Sequence, residues 1–138
     1  MQDLHNSIEH RRVISPQSEA ANTALVGQII NHANFDSVEY LILIGTLTDA
    51  DATFAVLLED GDDSGLSDAA AVVDAQLLGT EALAGFNFGN DDEVRKLGYL
   101  GAKGFSRLTI TPAANAAAAL IAASCVLGNP RKEQTSQS

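Results

Sequence analysis

Apolar and polar positions alternate with a period of two along much of this chain, most densely in Ser37–Asp60. Val38–Leu47 places Val38, Tyr40, Ile42 and Ile44 on one parity and Leu41 and Leu43 on the other. Such a near-continuous apolar run suits a strand covered on both faces. Ala52–Asp60 alternates Phe54, Val56 and Leu58 against Thr53, Ala55, Leu57 and Glu59, which predicts a second strand. The polar stretch Thr48-Asp49-Ala50-Asp51 between them predicts a tight turn, so the pair reads as a hairpin. A lone hairpin is marginal in water, and the rest of the chain must supply its partners.

Before it, Met1–Arg12 is polar, with Leu4 and Ile8 as its larger apolar positions, and reads as an N-terminal arm, unanchored or ordered on a neighbouring subunit. Val13-Ile14-Ser15-Pro16 predicts a short edge strand stopped by proline. In Thr23–Asn31 the β-branched residues and the central Gly27 favour strand over helix. After it, Gly61–Asp68 is a surface loop rich in turn formers. Val72–Leu78 is read as a strand, and Thr80–Asn87 as holding a further short strand that ends in Phe86-Asn87-Phe88. Gly89-Asn90-Asp91-Asp92 is a turn, and Glu93–Tyr99 leads out of it with Val94, Leu97 and Tyr99 facing inward. Phe105–Thr111 alternates without fault up to Pro112. Ala113–Ala119 has the highest helix propensity in the chain, and Leu120–Leu127 either extends that helix or closes a sheet. The recurrence of strand and turn every 8–14 residues or so favours an all-β, single antiparallel β-sandwich with a last strand there. The domain spans 13–130, after an arm over 1–12 and before a polar tail over 131–138.

Composition narrows this further. A chain of 138 residues makes one domain. With 5% aromatic residues and no Trp, its core must be built from Val, Leu, Ile and Ala. The single cysteine, Cys125, excludes an intramolecular disulfide and lies in an apolar run, as a buried structural thiol would. No stretch approaches the ~18 apolar residues of a membrane span, and the N-terminus lacks the basic-then-apolar order of a secretory signal. These features point to a soluble protein made in a cytoplasm. The net charge of −10 is unevenly placed, with fourteen acidic side chains and no Lys or Arg between Asp36 and Glu93. Six of the eight basic residues follow Val94. An acidic middle argues against a nucleic-acid partner. It reads either as a solvated surface or as one of two opposite patches that complement each other between copies.

Candidate chemistry is sparse. Asp60-Gly61-Asp62-Asp63-Ser64-Gly65 resembles the start of a calcium loop, but the twelfth position is Ala71, where a bidentate Glu is wanted. Asp49 and Asp51 read as turn formers rather than a catalytic pair, and His5, His10 and His32 lack zinc-ligand spacing. Gly98–Gly104 holds glycines and Lys103 without the order of a phosphate-binding loop. The expectation is a non-enzyme with no catalytic, cofactor-binding or metal residues.

Several stretches taken together are distinctive: Phe35-Asp36-Ser37, Gly45–Phe54, Leu58–Asp62, Val72–Ala82, Lys96–Gly101, Arg107–Ala113 and Ala123–Pro130. Over Val13–Pro130 the chain resembles a family of small proteins encoded in tailed-phage and prophage structural gene clusters, near the major capsid gene. The resemblance implies a jelly-roll-like domain and a virion structural protein. Its leading form is a capsid decoration (cement) protein on the outer surface of the shell, assembled in the host bacterial cytoplasm. The partners would be the major capsid protein and copies of itself, with no nucleic acid and no membrane. A head–tail connector or tail ring component is the rival, and a small-ligand or glycan-binding module a further one. In such a role the contacts would come from the arm and the basic C-terminal third, namely Leu4, Ile8, Arg11, Arg12, Arg95, Lys96, Lys103, Arg131 and Lys132.

Overall fold

The computed structural model describes residues 3–130, so Arg131 and Lys132 lie outside the described residues. In chain order the strands are β1 (Ile8–Glu19), β2 (Leu25–Val26), β3 (Ile30–Asn31), β4 (Phe35–Leu47), β5 (Thr53–Gly61) and β6 (Ala70–Ala71). They continue with β7 (Leu77–Leu78), β8 (Phe86–Asn87), β9 (Val94–Tyr99), β10 (Phe105–Ala113) and β11 (Ala119–Pro130), with one helical turn, α1 (Glu81–Ala84), before β8. One sheet runs β1-β11-β4-β9-β7 and the other β2-β10-β5-β6, with β3 on β10 and β8 on β5. Every pairing is antiparallel. From β4 onward successive long strands alternate between the sheets, a jelly-roll-like arrangement of an all-β sandwich.

The predicted hairpin is therefore not one. β4 pairs with β11 and β9 while β5 pairs with β10, so the turn at Thr48–Asp51 carries the chain from one sheet to the other. The reason lies in the inward parities. Tyr40, Ile42, Ile44, Phe54 and Leu58 are all buried. Facing each other across the sandwich, they close a core that two strands side by side in one sheet would leave half open.

Other expectations change for related reasons. Thr23–Asn31 breaks into β2 and β3, because a Cβ at Gly27 would lie 2.6 Å from both Leu108 O and Val13 Cγ1, where the chain crosses close over β10. Val72–Leu78 is not one continuous strand; only its last two residues are, as β7. It passes from the edge of one sheet, at β6, to the edge of the other, at β7, with a 3₁₀ turn over Asp74–Gln76. Thr80–Asn87 ends in the expected short strand, β8, but opens with α1, whose entry is capped by the Thr80 hydroxyl accepting from Leu83 N at 3.0 Å. The alanine run forms no helix: Ala114 sits at φ +54°, and β11 begins at Ala119 as the closing strand.

Nor does the polar start of the chain remain a loose arm up to Arg12. From Ile8 on it is β1, paired with β11 through Ile8↔Gly128 to Glu19↔Ala119. A bulge between Arg12 and Ile14 turns two consecutive residues, Val13 and Ile14, into the core. Burial of these two side chains holds an otherwise polar strand to the sheet.

Candidate functional site

Two features stand out from the apolar core. The first is a set of polar ties between the sheets at one end of the sandwich. Tyr40 of β4 and Ser106 of β10 meet at 2.5 Å, and His32 Nε2 lies 2.9 Å from the same Ser106 Oγ. Beside them Tyr99 of β9 donates to Asp60 of β5 at 2.7 Å, and its ring packs 5.0 Å from His32. Burial holds the His32 imidazole neutral, down to about 4, although the nearby Asp60 charge works the other way. Burial likewise pushes both tyrosine hydroxyls up. A serine beside a histidine invites comparison with a nucleophile and its base. Here Ser106 is 0% exposed and its hydroxyl is shared with Tyr40, so the geometry ties strands together and gives no path to a substrate.

The loop over these ties is itself held down. Lys103 N donates to Tyr99 Oη at 3.1 Å, and a Cβ at Gly101 would fall 2.3 Å from that oxygen, so only glycine lets the loop pack on the phenol. It borders a cleft of about 360 Å³ lined in part by His32, Phe35, Asp36 and Lys103.

The second feature is the outward face of the five-stranded sheet. Cross-strand partners share a face, so the pairings place Ala122, Leu43 and Val94 in one row. Arg12, Ser124, Leu41 and Lys96 form the next, and His10, Val126, Glu39, Gly98 and Leu78 the one beyond. Leu120 lies at the end of this face. Leu43 is 51% exposed, Val94 56% and Leu120 47%. Pro16 does not stop β1, which runs on to Glu19; at the register shift between Ile14 and Gln17 the face deepens into an open, mainly apolar groove of about 470 Å³ between Gln17, Leu43, Gly45 and Leu120. Val94 was expected inside; it stands outward because Leu97 and Tyr99 set the inward parity of β9. Glu39 is half-buried on this face, and burial raises its carboxyl against the opposing pull of Lys96.

The seven expected contact residues that lie among the described residues do not gather into one patch. Arg12 and Lys96 bracket the apolar face at the two ends of a four-strand row, three strand spacings and so about 14 Å apart. Leu4 is exposed in the turn before β1, and Ile8 opens that strand half-buried. Arg11 pairs with Glu9 at 2.6 Å, Arg95 with Glu93 at 2.7 Å and Lys103 with Asp62 at 2.9 Å. Arg107 meets Glu59 at 3.2 Å. The charges segregated along the sequence are thus largely interleaved in space, because β10 pairs with the acidic β5. Leu41, Leu43, Val94, Leu120, Ala122 and Val126 were not among the expected contacts. Their signal was the second apolar parity of Val38–Leu47, repeated more weakly in β11.

Among the described residues no group of three or more His, Cys, Asp or Glu is arranged to hold a metal ion. In the loop after Asp60 the carboxylates serve the backbone. Asp68 accepts from the amides of Asp62 and Asp63, and Asp63 from those of Gly65 and Ser67, which holds both carboxyls below the ordinary value. No helix of the described residues is long and apolar enough to cross a membrane.

No family model matches the chain, and no curated protein matches it. Among solved structures, a chain from Bacillus endospore appendages, described as disulfide-linked pili, is 14% identical, with a TM-score of 0.49 over 94% of this chain and 97% of that one. A chain from the capsid of Ralstonia phage GP4 is 16% identical, with a TM-score of 0.48 over 94% and 89%. The SPBc2 prophage-derived protein YomS is 10% identical, with a TM-score of 0.48 over 91% and 99%. These are likenesses of outline alone.

Proposed function

We propose that this chain is a non-enzymatic structural protein of a tailed-phage virion, a decoration protein that binds the outer surface of the major capsid shell. The observation that carries the reading is the open outward face of the five-stranded sheet. Leu41 and Leu43 belong to a strand whose sequence reads as covered on both sides, yet the chain covers one side and leaves Leu43, Val94 and Leu120 about half exposed. Contiguous apolar side chains on an open sheet face, bracketed by Arg12 and Lys96, form the kind of surface that another protein covers. The resemblance in sequence supplies the virion context. Many copies on a repetitive shell would multiply a weak single contact.

Quantitative mass spectrometry of purified particles tests this. A copy number near that of the major capsid protein, or a simple fraction of it, is the expected result. A count of about six or about twelve would move the chain to a head–tail ring, and absence from the particle would overturn both. Leu43→Glu identifies the face. The variant should fold like the parent, since the side chain points outward, yet fail to rebind particles stripped of this protein.

A further inference from the structure

Two cations in this molecule are unlike the rest. Six Lys and Arg residues lie among the described ones, and four of them, Arg11, Arg95, Lys103 and Arg107, meet a carboxylate of their own chain. Arg12 and Lys96 form no such pair, although the chain carries a net charge of −10. Arg12 is exposed, and its guanidinium reaches neutral groups: Ser15 Oγ at 3.1 Å and, with the Gln28 amide suitably turned, the Gln28 side-chain oxygen at 2.6 Å. Lys96 is exposed too, and Glu39 on the next row feels its charge without forming an ion pair. A lone surface cation is ordinary. Here both fall on the same apolar face, at opposite ends of one row.

We propose that the surface covering this face is an apolar ridge of the capsid shell flanked by acidic side chains, which pair with Arg12 and Lys96 while a large apolar side chain of the ridge enters the groove beside Leu43 and Leu120. The inference rests on the virion reading above and adds the chemistry of the partner. Charge separates this occupant from a second copy of the chain. Stacking the face on itself about a two-fold axis along the strands sets Arg12 over Lys96 of the other copy, and an axis across the strands sets each cation over itself. Either way like charges oppose one another. Area points the same way. Across the four-strand row and from Leu120 to Val126 the face measures about 14 by 20 Å, roughly 300 Å², whereas each partner of a stable pairwise complex contributes about 800 Å². A contact this small suits a partner that presents it many times over. The two charges then fix how each copy is oriented on the shell more than how tightly it binds.

Rebinding of the purified full chain to particles stripped of it tests this. Wild type is expected to rebind, and Arg12→Glu and Lys96→Glu each to lower the apparent affinity about fivefold at about 0.05 M salt, a loss that shrinks at about 0.5 M. Lys96→Arg should bind like wild type. So should Thr111→Glu, which adds negative charge on the other sheet, away from the face. On the rebound particles a zero-length carboxyl-to-amine coupling reagent should join Lys96 to an Asp or Glu of the major capsid protein. Should Arg12→Glu fail to fold, the exposed Lys96 variants and the coupling decide alone. Wild type that rebinds while folded Lys96→Glu binds equally well overturns the inference and leaves the virion reading standing. Coupling that leaves Lys96 unjoined, or joins it to a second copy of this chain, does the same. Wild type that does not rebind overturns both.

Discussion

Ser106→Ala isolates the polar tie between the sheets with almost no change in volume. The Ser106 hydroxyl has one proton and serves two buried neighbours, the Tyr40 hydroxyl at 2.5 Å and His32 Nε2 at 2.9 Å. Tyr40 and Ser106 are both 0% exposed and His32 is 3% exposed, so no water replaces the lost oxygen. A buried polar group left without a partner costs about 1–3 kcal/mol. With two groups orphaned, the expected loss is about 2–4 kcal/mol, a large part of the ~5–15 kcal/mol that holds a domain together. Tyr40→Phe removes one member while Ser106 keeps His32, and should cost about 1–2 kcal/mol. In the double variant only His32 is orphaned, so the two losses should fall short of additivity by about 2 kcal/mol. Urea unfolding of the four proteins at a common slope m gives the numbers. A loss below about 0.5 kcal/mol for Ser106→Ala, or additivity within about 0.3 kcal/mol, would refute the idea that this serine bridges the sheets.

The same cluster should make the protein acid-labile. The folded-state value of His32, about 4, lies below its ordinary 6.5, so the unfolded chain takes up the proton first. The stability this confers is complete above pH 6.5, falls as pH drops from 6.5 to 4, and amounts to roughly 3 kcal/mol. Urea midpoints measured across that range should lose this slope in His32→Gln; an unchanged slope would place the titrating group elsewhere. Cys125 is buried and its thiol is pushed up to about 12, chiefly by burial, so a thiol reagent should modify it only at the rate of unfolding. Rapid native-state labelling at pH 8 would contradict this. Ile42→Asp places an unpaired carboxylate where the side chain is 0% exposed, and should abolish soluble folded protein. A soluble variant that melts cooperatively would count against β4 as the central core strand.

Much of the strand inventory was legible because side-chain parity is a local property. β4, β5 and β10 carry alternation strong enough to locate each strand within a few residues, whereas the alanine-rich β11 read locally as either helix or strand; the inward parities of all four are the core. The weak segments were misread for one shared reason. Val72–Gln76 and Thr80–Ala84 lie where the chain passes from one sheet to the other, and Gly27–Ile29 where it leaves the β10 ladder for Val13 of β1; there tertiary direction overrides local propensity. The alanine run shows the same effect. Asn115 donates its side-chain amide to Glu19 O and Ala21 O, fastening a loop to the link after β1 where propensity alone favours helix.

By itself, the sequence determined an all-β sandwich, a central strand through Ile42, a buried Cys125 and a second apolar parity in Val38–Leu47, all properties of residues near one another in the chain. Only the tertiary structure decided that β4 and β5 lie in different sheets, that β10 brings Arg107 and Lys103 to the acids of β5 and the loop after it, and that Leu43, Val94 and Leu120 meet on one uncovered face. Each of these joins residues far apart in sequence. Periodicity tells which way a side chain faces within its strand, but not which strand lies beside it; pairing is chosen by the closure of the whole core.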